Sequence, residues 1–377
     1  MSGLSSGRSS GFALRVASAF VLGHHCGDDN EMAIADVTIM GAGVFGLSVA
    51  YACARRGAKV QVIDPNGVAS GASGGIVGAL APHVPENWNS KKAFQFESLM
   101  LAEDFWGGVT ALTGQDVGYA RSGRLQPLAD AAAVDLAQLR AATAAELWEG
   151  RAVWEVIPAK DLGAWAPPSP SGYVVRDTLS GLIHPRRATR ALGAAVGQLG
   201  GQIVETGSPE GKVVWATGWQ GLQEMTAQHT RQVGNGVKGQ ALLLDFAAPG
   251  APQLFADALH IVPHSDGTVA IGSTSEREFD DPISVDEQLD DVYGRALAAF
   301  PILTQARVIE RWAGVRPRSR SRAPMLGRHP FEDGAYVANG GFKIGFGMAP
   351  LVGDVMADLV LDGVDRIPEA FQADQNL

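Results

Sequence analysis

A chain of 377 residues that is 46% hydrophobic and 19% charged has apolar material for a large core and the length of two or three domains, which excludes a disordered or fibrous protein. Its formal charge of -10 argues against a broad hold on nucleic acid, because displacing counterions from phosphates needs positive surface. No apolar run reaches the roughly 18 residues of a spanning helix, and Cys26 and Cys53 provide neither a disulfide framework nor a thiolate metal site, so a cytoplasmic, reducing location is expected.

Residues 11–23 (GFALRVASAFVLG) follow Arg8 and faintly resemble a targeting segment, but Arg15 interrupts them and no small-residue cleavage site is clear. Residues 1–32 are therefore expected to be a disordered or miscalled extension. Met32, followed by AIADVTIMGAG, makes a normal beginning for a protein that opens on a strand. Val37 to Met40 then reads as a buried parallel strand, closed by Gly41. Leu47, Ala50, Tyr51 and Ala54 recur at helical spacing with Gly57 as a terminal cap, and Val60 to Ile63 is a second strand ended by Asp64 and Pro65.

From Lys91 to Trp148 the pattern is mainly helical, and WAPPSPSG at 165–172 reads as a linker where the chain crosses between domains. Leu182 to Thr206 reads as helix then strand, a further strand ends at Ala216-Thr217-Gly218, and His260 to Thr274 forms a hairpin around Asp266-Gly267. An amphipathic helix is predicted to begin at Pro350, with Leu351, Val352, Val355, Met356, Leu359 and Val360 opposite Asp354, Asp358 and Asp362. No internal repeat is present.

Gly41, Gly43 and Gly46 spell G-x-G-x-x-G. The first permits the tight turn, the second lets the backbone approach a pyrophosphate, and the third lets helix and strand pack closely. The helix N-terminus favours negative charge, and Asp64, 18 residues after Gly46, ends the second strand where a ribose hydroxyl would donate to it. A dinucleotide site follows. The glycines do not separate FAD from NAD, since both share the ADP half.

Other segments bear on that choice. VASGASGGIVGALAP at 68–82, VKGQALLL at 237–244, IVPHSDGTVAIGST at 261–274, WAGVRP at 312–317 and GGFKIGFGMAP at 340–350 together resemble the D-amino-acid oxidase superfamily of flavoproteins, most closely its glycine oxidase branch. The resemblance runs from about Asp36 to the helix after Pro350. It implies an α/β fold, with a Rossmann-like FAD-binding domain (33–90, 172–218 and 323–377) and a second α+β substrate domain of antiparallel sheet plus helices (91–171 and 219–322). It also implies noncovalent FAD, since no cysteine lies in the matching loops. The adenine half would lie on Gly41 to Gly46 with Asp64 and Pro65, and Val44 and Phe45 would touch the pyrophosphate. Ala72, Ser73, Val77, Gly78 and Ala79 match a second contact loop. The flavin would lie beside Gly341, Phe342, Lys343, Ile344, Gly345, Phe346 and Gly347.

The same resemblance puts Arg316 at the position of a carboxylate-binding arginine, and a guanidinium fork suits a carboxylate. Lys343 stands where this branch commonly carries Arg, so it joins Arg316 as a catalytic candidate. Arg318, Arg320 and Arg322 depart from a more neutral loop; they read as solvated charges, with an acidic substrate or a basic patch as the other reading. His260 and His264 lack a third ligand for a metal, no G-x-S-x-G elbow supports a hydrolase, and Tyr51, Tyr119, Tyr173, Tyr293 and Tyr336 are equal candidates for a substrate-facing hydroxyl. The activity implied is oxidation of the C–N bond of a small amino acid, with molecular oxygen, a quinone or a carrier protein as electron acceptor. The segments at 71–82 and 311–327 also resemble an FAD oxidoreductase that modifies transfer-RNA uridine, which the net charge opposes. A binding protein that merely holds FAD leaves Arg316 without a purpose.

Overall fold

The apolar run Val37–Met40 forms β1 and passes through Gly41 into α1 (Val44–Arg55), eleven of whose twelve residues are buried. The computed structural model describes residues 34–377; the expected extension, with His24, His25 and Cys26, lies outside the described residues. Gly57, at φ +86°, follows the end of α1 and leads into β2 (Val60–Ile63), which pairs in parallel with β1. After β3 (Ala79–Leu80), Asn89 caps α2 (Ser90–Thr113) by accepting from the Lys91 and Lys92 N–H groups. Then come β4 (Arg124–Pro127), α3 (Ala131–Leu147) capped by Asp130, β5 (Trp154–Pro158), β6 (Tyr173–Asp177) and β7 (Gly181–Leu182). Pro185 fits the first turn of α4 (Pro185–Gln198), where no intrahelical N–H is needed. β8 (Gln202–Val204), β9 (Lys212–Trp215) and α5 (Gly218–Ala227) complete this stretch.

The second half opens with the long β10 (Gly234–Asp245), followed by β11 (Gln253–Ala256), β12 (Leu259–Pro263), β13 (Thr268–Gly272) and α6 (Gln288–Ala299). β14 (Arg307–Ser319), β15 (Met325–Arg328), β16 (Tyr336–Asn339) and α7 (Gly345–Ala357) follow. One sheet has the order β15-β16-β9-β1-β2-β8 and another the order β14-β10-β13-β12-β11-β4-β6-β5, with β3 and β7 as a small separate pair. In the first sheet β16, β9, β1, β2 and β8 are parallel, so helices cover their apolar faces; α1, α2, α4 and α7 contribute to one core with them. In the second sheet the strands are mostly antiparallel and α6 packs on β10, β12 and β13. The α/β class and the antiparallel second sheet agree with the expectation.

Three local expectations are corrected. The Pro/Ser-rich segment 165–172 crosses between no domains: it lies in the connection between β5 and β6, which are paired neighbours in one sheet. Its Ser169 and Ser171 hydroxyls donate to the Tyr173 carbonyl, so prolines and serines shape a return rather than a tether. The helical reading of 91–148 is broken by β4. α7 begins at Gly345, not Pro350; the proline is its sixth residue and is buried, so one backbone hydrogen bond to the preceding turn is given up. The expected apolar face of that helix is buried apart from the half-buried Leu351, while Asp354 and Asp358 on the other side meet Arg56, just past the end of α1. Relative to the expected domain limits, α2 belongs with the core of the first sheet and β6 with the second sheet.

α7 reaches α1 through Gly353, where an added Cβ would lie 2.7 Å from the Ser48 carbonyl oxygen. Gly353→Val is therefore expected to push the two helices apart and destabilise the protein by about 1–3 kcal/mol. Gly197→Ala, at an exposed position of α4 where a Cβ meets nothing within 4 Å, serves as the control and should not lower stability. Thermal melts of the two variants test this, and equal melting temperatures would contradict the close approach.

Candidate active site

The carboxyl ends of β1, β2, β9 and β16 open on one cavity of about 700 Å³, within the roughly 300–1,000 Å³ typical of small-molecule sites. It starts in the crevice between β1 and β9, where the strand order reverses direction, and ends against β12, β13 and β14 of the second sheet.

The three fingerprint glycines have different causes. At Gly41, φ is +114° and a Cβ would sit 2.5 Å from the Ala216 carbonyl oxygen; at Gly46 a Cβ would sit 2.1 Å from the Gly41 carbonyl oxygen. Both are compelled by the protein itself. A Cβ at Gly43 would meet only the Ser73 hydroxyl, at 3.3 Å, and otherwise would enter the cavity. Glycine at 43 thus leaves room for something other than protein. Beside it α1 begins, and Val44 N–H donates to Ser73 Oγ at 3.0 Å. The start of α7 at Gly345 lies next to Val44, so two helix N-termini meet the same space. Asp64 accepts from the Ala42 N–H at 2.8 Å and from the Asn66 N–H at 3.0 Å, which locks both strand-ending turns and leaves its carboxylate on the cavity wall.

Ser73 belongs to a loop that α4 pins. Thr189 Oγ1 donates to the Ser73 carbonyl, Arg186 Nε donates to the Gly74 carbonyl, and the Arg186 guanidinium forms a two-point ion pair with Glu310 of β14 at 2.6 and 3.1 Å. Gly78 is compelled, its Cβ lying 1.9 Å from the Ile183 carbonyl oxygen. Sequence reasoning missed Arg186, whose signal is its place in the first turn of a proline-led helix.

At the far end lies Arg316. Its Nη1 donates to Ser273 Oγ at 2.7 Å, and its Nη2 donates to the carbonyls of Thr274 at 2.8 Å and Lys238 at 3.2 Å. These contacts use three of its five N–H groups, and the buried Nε–H has no partner among the described residues. Gly239, on the paired strand β10 opposite Gly314, gives the guanidinium space: a Cβ there would lie 2.5 Å from Nη2. Burial pushes the Arg316 pKa down to about 10, while Glu276 behind it favours the charge. Trp312, Phe255 and Phe342 supply apolar wall. Burial, with Arg124 and Lys343 nearby, pushes His260 down to about 3, so its imidazole is neutral at physiological pH. Lys343 lines the cavity at an exposed rim, and its packing, with Arg316 and Arg318, holds its ammonium below the usual lysine range.

The cavity thus brings together Gly41, Gly43, Val44, Phe45, Asp64, Pro65, Ala72, Ser73, Val77, Gly78, Ala79, Arg316, Gly341, Phe342, Lys343, Gly345 and Phe346. It does not reach Gly46, which packs on Gly41, nor Ile344 and Gly347, which lie behind the turn; a Cβ on Gly347 would meet Leu99. Sequence reasoning missed Thr217 to Gln220 and Glu224, which line the cavity after β9, and Phe255, Ala258, His260 and Ser273 on the second sheet. The Ala-Thr-Gly at a strand end was a usable signal for the first group; nothing local marked the second. None of the five tyrosines lines the cavity, and Ser273 offers the hydroxyl beside Arg316. His264 packs its ring against that of His184, with centroids 4.7 Å apart and planes tilted by 31°, rather than meeting His260. Among the described residues no group of three metal-ligating side chains occurs, and no helix is long and apolar enough to cross a membrane.

Residues 36–359 match the model of a family described as FAD dependent oxidoreductase. The chain is 25% identical over 373 residues to a glycine oxidase of Bacillus licheniformis, covering 90% of this chain and 97% of that one. It is 27% identical over 356 residues to a glycine oxidase of Pseudomonas aeruginosa, covering 86% and 94%. Among solved structures, glycine oxidase from Geobacillus kaustophilus superposes with a TM-score of 0.77 at 22% identity, over 90% of this chain and 98% of that one.

Gly43→Val is expected to fold with its secondary structure intact but to carry little flavin, because the protein has room for the side chain and a pyrophosphate there would not. Gly46→Val should instead destabilise the fold by about 1–3 kcal/mol or more. Circular dichroism melts and flavin absorbance per mole of protein separate the two, and a fully flavin-loaded Gly43→Val would contradict the assignment of this turn.

Proposed function

The chain belongs to the family of FAD-dependent oxidoreductases, and from that premise we propose that it oxidises the C–N bond of a small amino acid, glycine or a D-amino acid, whose carboxylate rests on Arg316. The observation that carries this reading is a half-buried guanidinium on the wall of the cavity, fixed by three contacts to neutral oxygens and keeping a fully buried, unpartnered Nε–H. A buried cation without a carboxylate of its own is costly, and an anionic ligand offsets that cost.

The residues present fit FAD. Gly43, Val44 and Phe45 at the start of α1 would face the pyrophosphate, Asp64 the ribose, and Ser73 with the Gly341 to Phe346 turn the flavin end. Among the described residues no cysteine lines the cavity, which supports noncovalent attachment. Bound FAD supplies the two-electron sink for a hydride equivalent from the substrate's α-carbon. Arg316 fixes the carboxylate and hence the direction of the α C–H bond, while Phe255, Trp312 and Phe342 keep water from the charge pair. His260, neutral, adds no competing cation beside the amine. The substrate loses two electrons and one proton at carbon and a second proton at nitrogen. Water then hydrolyses the imine to an oxo acid and ammonia. Oxygen, the acceptor implied by the names of the relatives, takes two electrons and two protons to become peroxide.

Arg316→Ala is expected to keep its fold and flavin and to lose about 2–5 kcal/mol of transition-state binding, roughly 30-fold to several thousand-fold in kcat/KM. Arg316→Lys should recover only part, since the charge returns without the fork. Steady-state kinetics with glycine and D-alanine check this. Wild-type kcat/KM in both variants would remove Arg316 from the site.

A further inference from the structure

The chain carries a net charge of -10, yet three cations surround one aromatic ring at the cavity mouth. The guanidinium carbons of Arg316 and Arg318 lie 5.6 Å from the Phe342 ring centroid, and Lys343 Nζ lies 5.7 Å from it. Among the described residues none of the three forms an ion pair. The contrast along β14 itself is direct: toward its start, Arg307 pairs with Asp245, Glu310 with Arg186, and Arg311 with Asp290. The strand's charges are thus matched by protein away from the cavity and unmatched at it.

Among the described residues no carboxylate within ion-pair distance makes up the difference. Glu276, the acid that favours the Arg316 charge, already pairs with Lys238 at 3.7 Å and accepts from Gln240 and Thr274. The neighbours that act on Lys343 are Arg316 and Arg318, and those that act on Arg318 are Arg322 and Arg277, all cationic. One α-carboxylate satisfies Arg316. It leaves Lys343, on the same cavity, without a counter-charge from the described residues of the protein.

We propose that the preferred substrate is an amine bearing two carboxylates, the one next to the oxidised carbon held by Arg316 and the distal one by Lys343, with Arg318 adding to the field. This rests on the C–N oxidation proposed above and narrows its substrate class. An ammonium on a flexible stem suits the second position, because a point charge at an exposed rim follows distal carboxylates on chains of different length, whereas the inner carboxylate requires the fixed geometry of Arg. Bringing the distal carboxylate in also relieves the like-charge repulsion that lowers the lysine's affinity for its proton.

The test is kcat/KM of the flavin-loaded full chain, at low ionic strength, for the monocarboxylates glycine, sarcosine and D-alanine and the dicarboxylates D-aspartate, D-glutamate and iminodiacetate. At least one dicarboxylate is expected to exceed the best monocarboxylate by about tenfold or more, an advantage that salt reduces. In Lys343→Gln the dicarboxylate-to-monocarboxylate ratio should fall by about tenfold, and Lys343→Arg should restore part of it. Should Lys343→Gln lose its flavin, Arg318→Gln reads the same ratio from outside the cavity wall. A monocarboxylate preference with an unchanged ratio overturns the second anchor and leaves the amino-acid reading standing. Equal loss for both classes in Lys343→Gln also overturns it, by making the lysine a support of the flavin. Failure of all six amines to bleach bound flavin sinks both readings.

Discussion

The rest of the site depends on the close passage of the backbone at Gly41. Here β1 turns into α1 against the end of β9, with the Ala216 carbonyl where a side chain would be and the Gly41 carbonyl pressed under Gly46. That contact fixes where α1 begins and sets its first residues on the crevice. α7 is carried on α1 by the Gly353–Ser48 approach, so its own N-terminus comes to the same place. Ser73, held by Thr189 of α4, closes the third side. Three elements distant in sequence thus build an anion-favouring end from backbone geometry with little formal charge.

The other end is built on opposite terms. Arg316 stands on a strand paired along its length with β10, and its guanidinium occupies space that Gly239 vacates. Its position is fixed by neutral oxygens, which orient the cation without neutralising it. An acid in direct contact would have made a satisfied ion pair and removed the reason to bind an anion. One cavity therefore offers dipoles for a pyrophosphate at one end and an incompletely matched cation for a carboxylate at the other. Segments 72–79 and 341–346 line the same cavity.

Much of this was legible in the sequence because it is local. The strand Val37–Met40, the fingerprint and the strand Val60–Ile63 are continuous text, and their periodicity and glycines specify one turn. Arg316 was legible only through resemblance, since nothing in RWAGVRPRSRSR alone separates it from Arg318 or Arg322. Its distinction is tertiary: Gly239, Ser273 and Thr274 come from other strands. His260 and Phe255 were missed for the same reason, as they join the cavity only when β11 and β12 pair. The Pro350 expectation failed because propensity favours proline in a first turn, while here burial against α1 and α2 holds the helix through the loss of one hydrogen bond. The linker expectation failed because prolines and serines serve a long return between paired strands as readily as a tether between domains.

If one cavity holds flavin and seats a carboxylate on Arg316 beside it, a bound carboxylate must perturb the flavin. The most direct measurement is a titration of the flavin-loaded protein with a carboxylate that is not oxidised, such as acetate, followed through the visible flavin spectrum in wild type and in Arg316→Ala. A saturable perturbation in wild type that disappears in the variant, at equal flavin content, is the predicted result. The same titration in both proteins, or none in either, would contradict it.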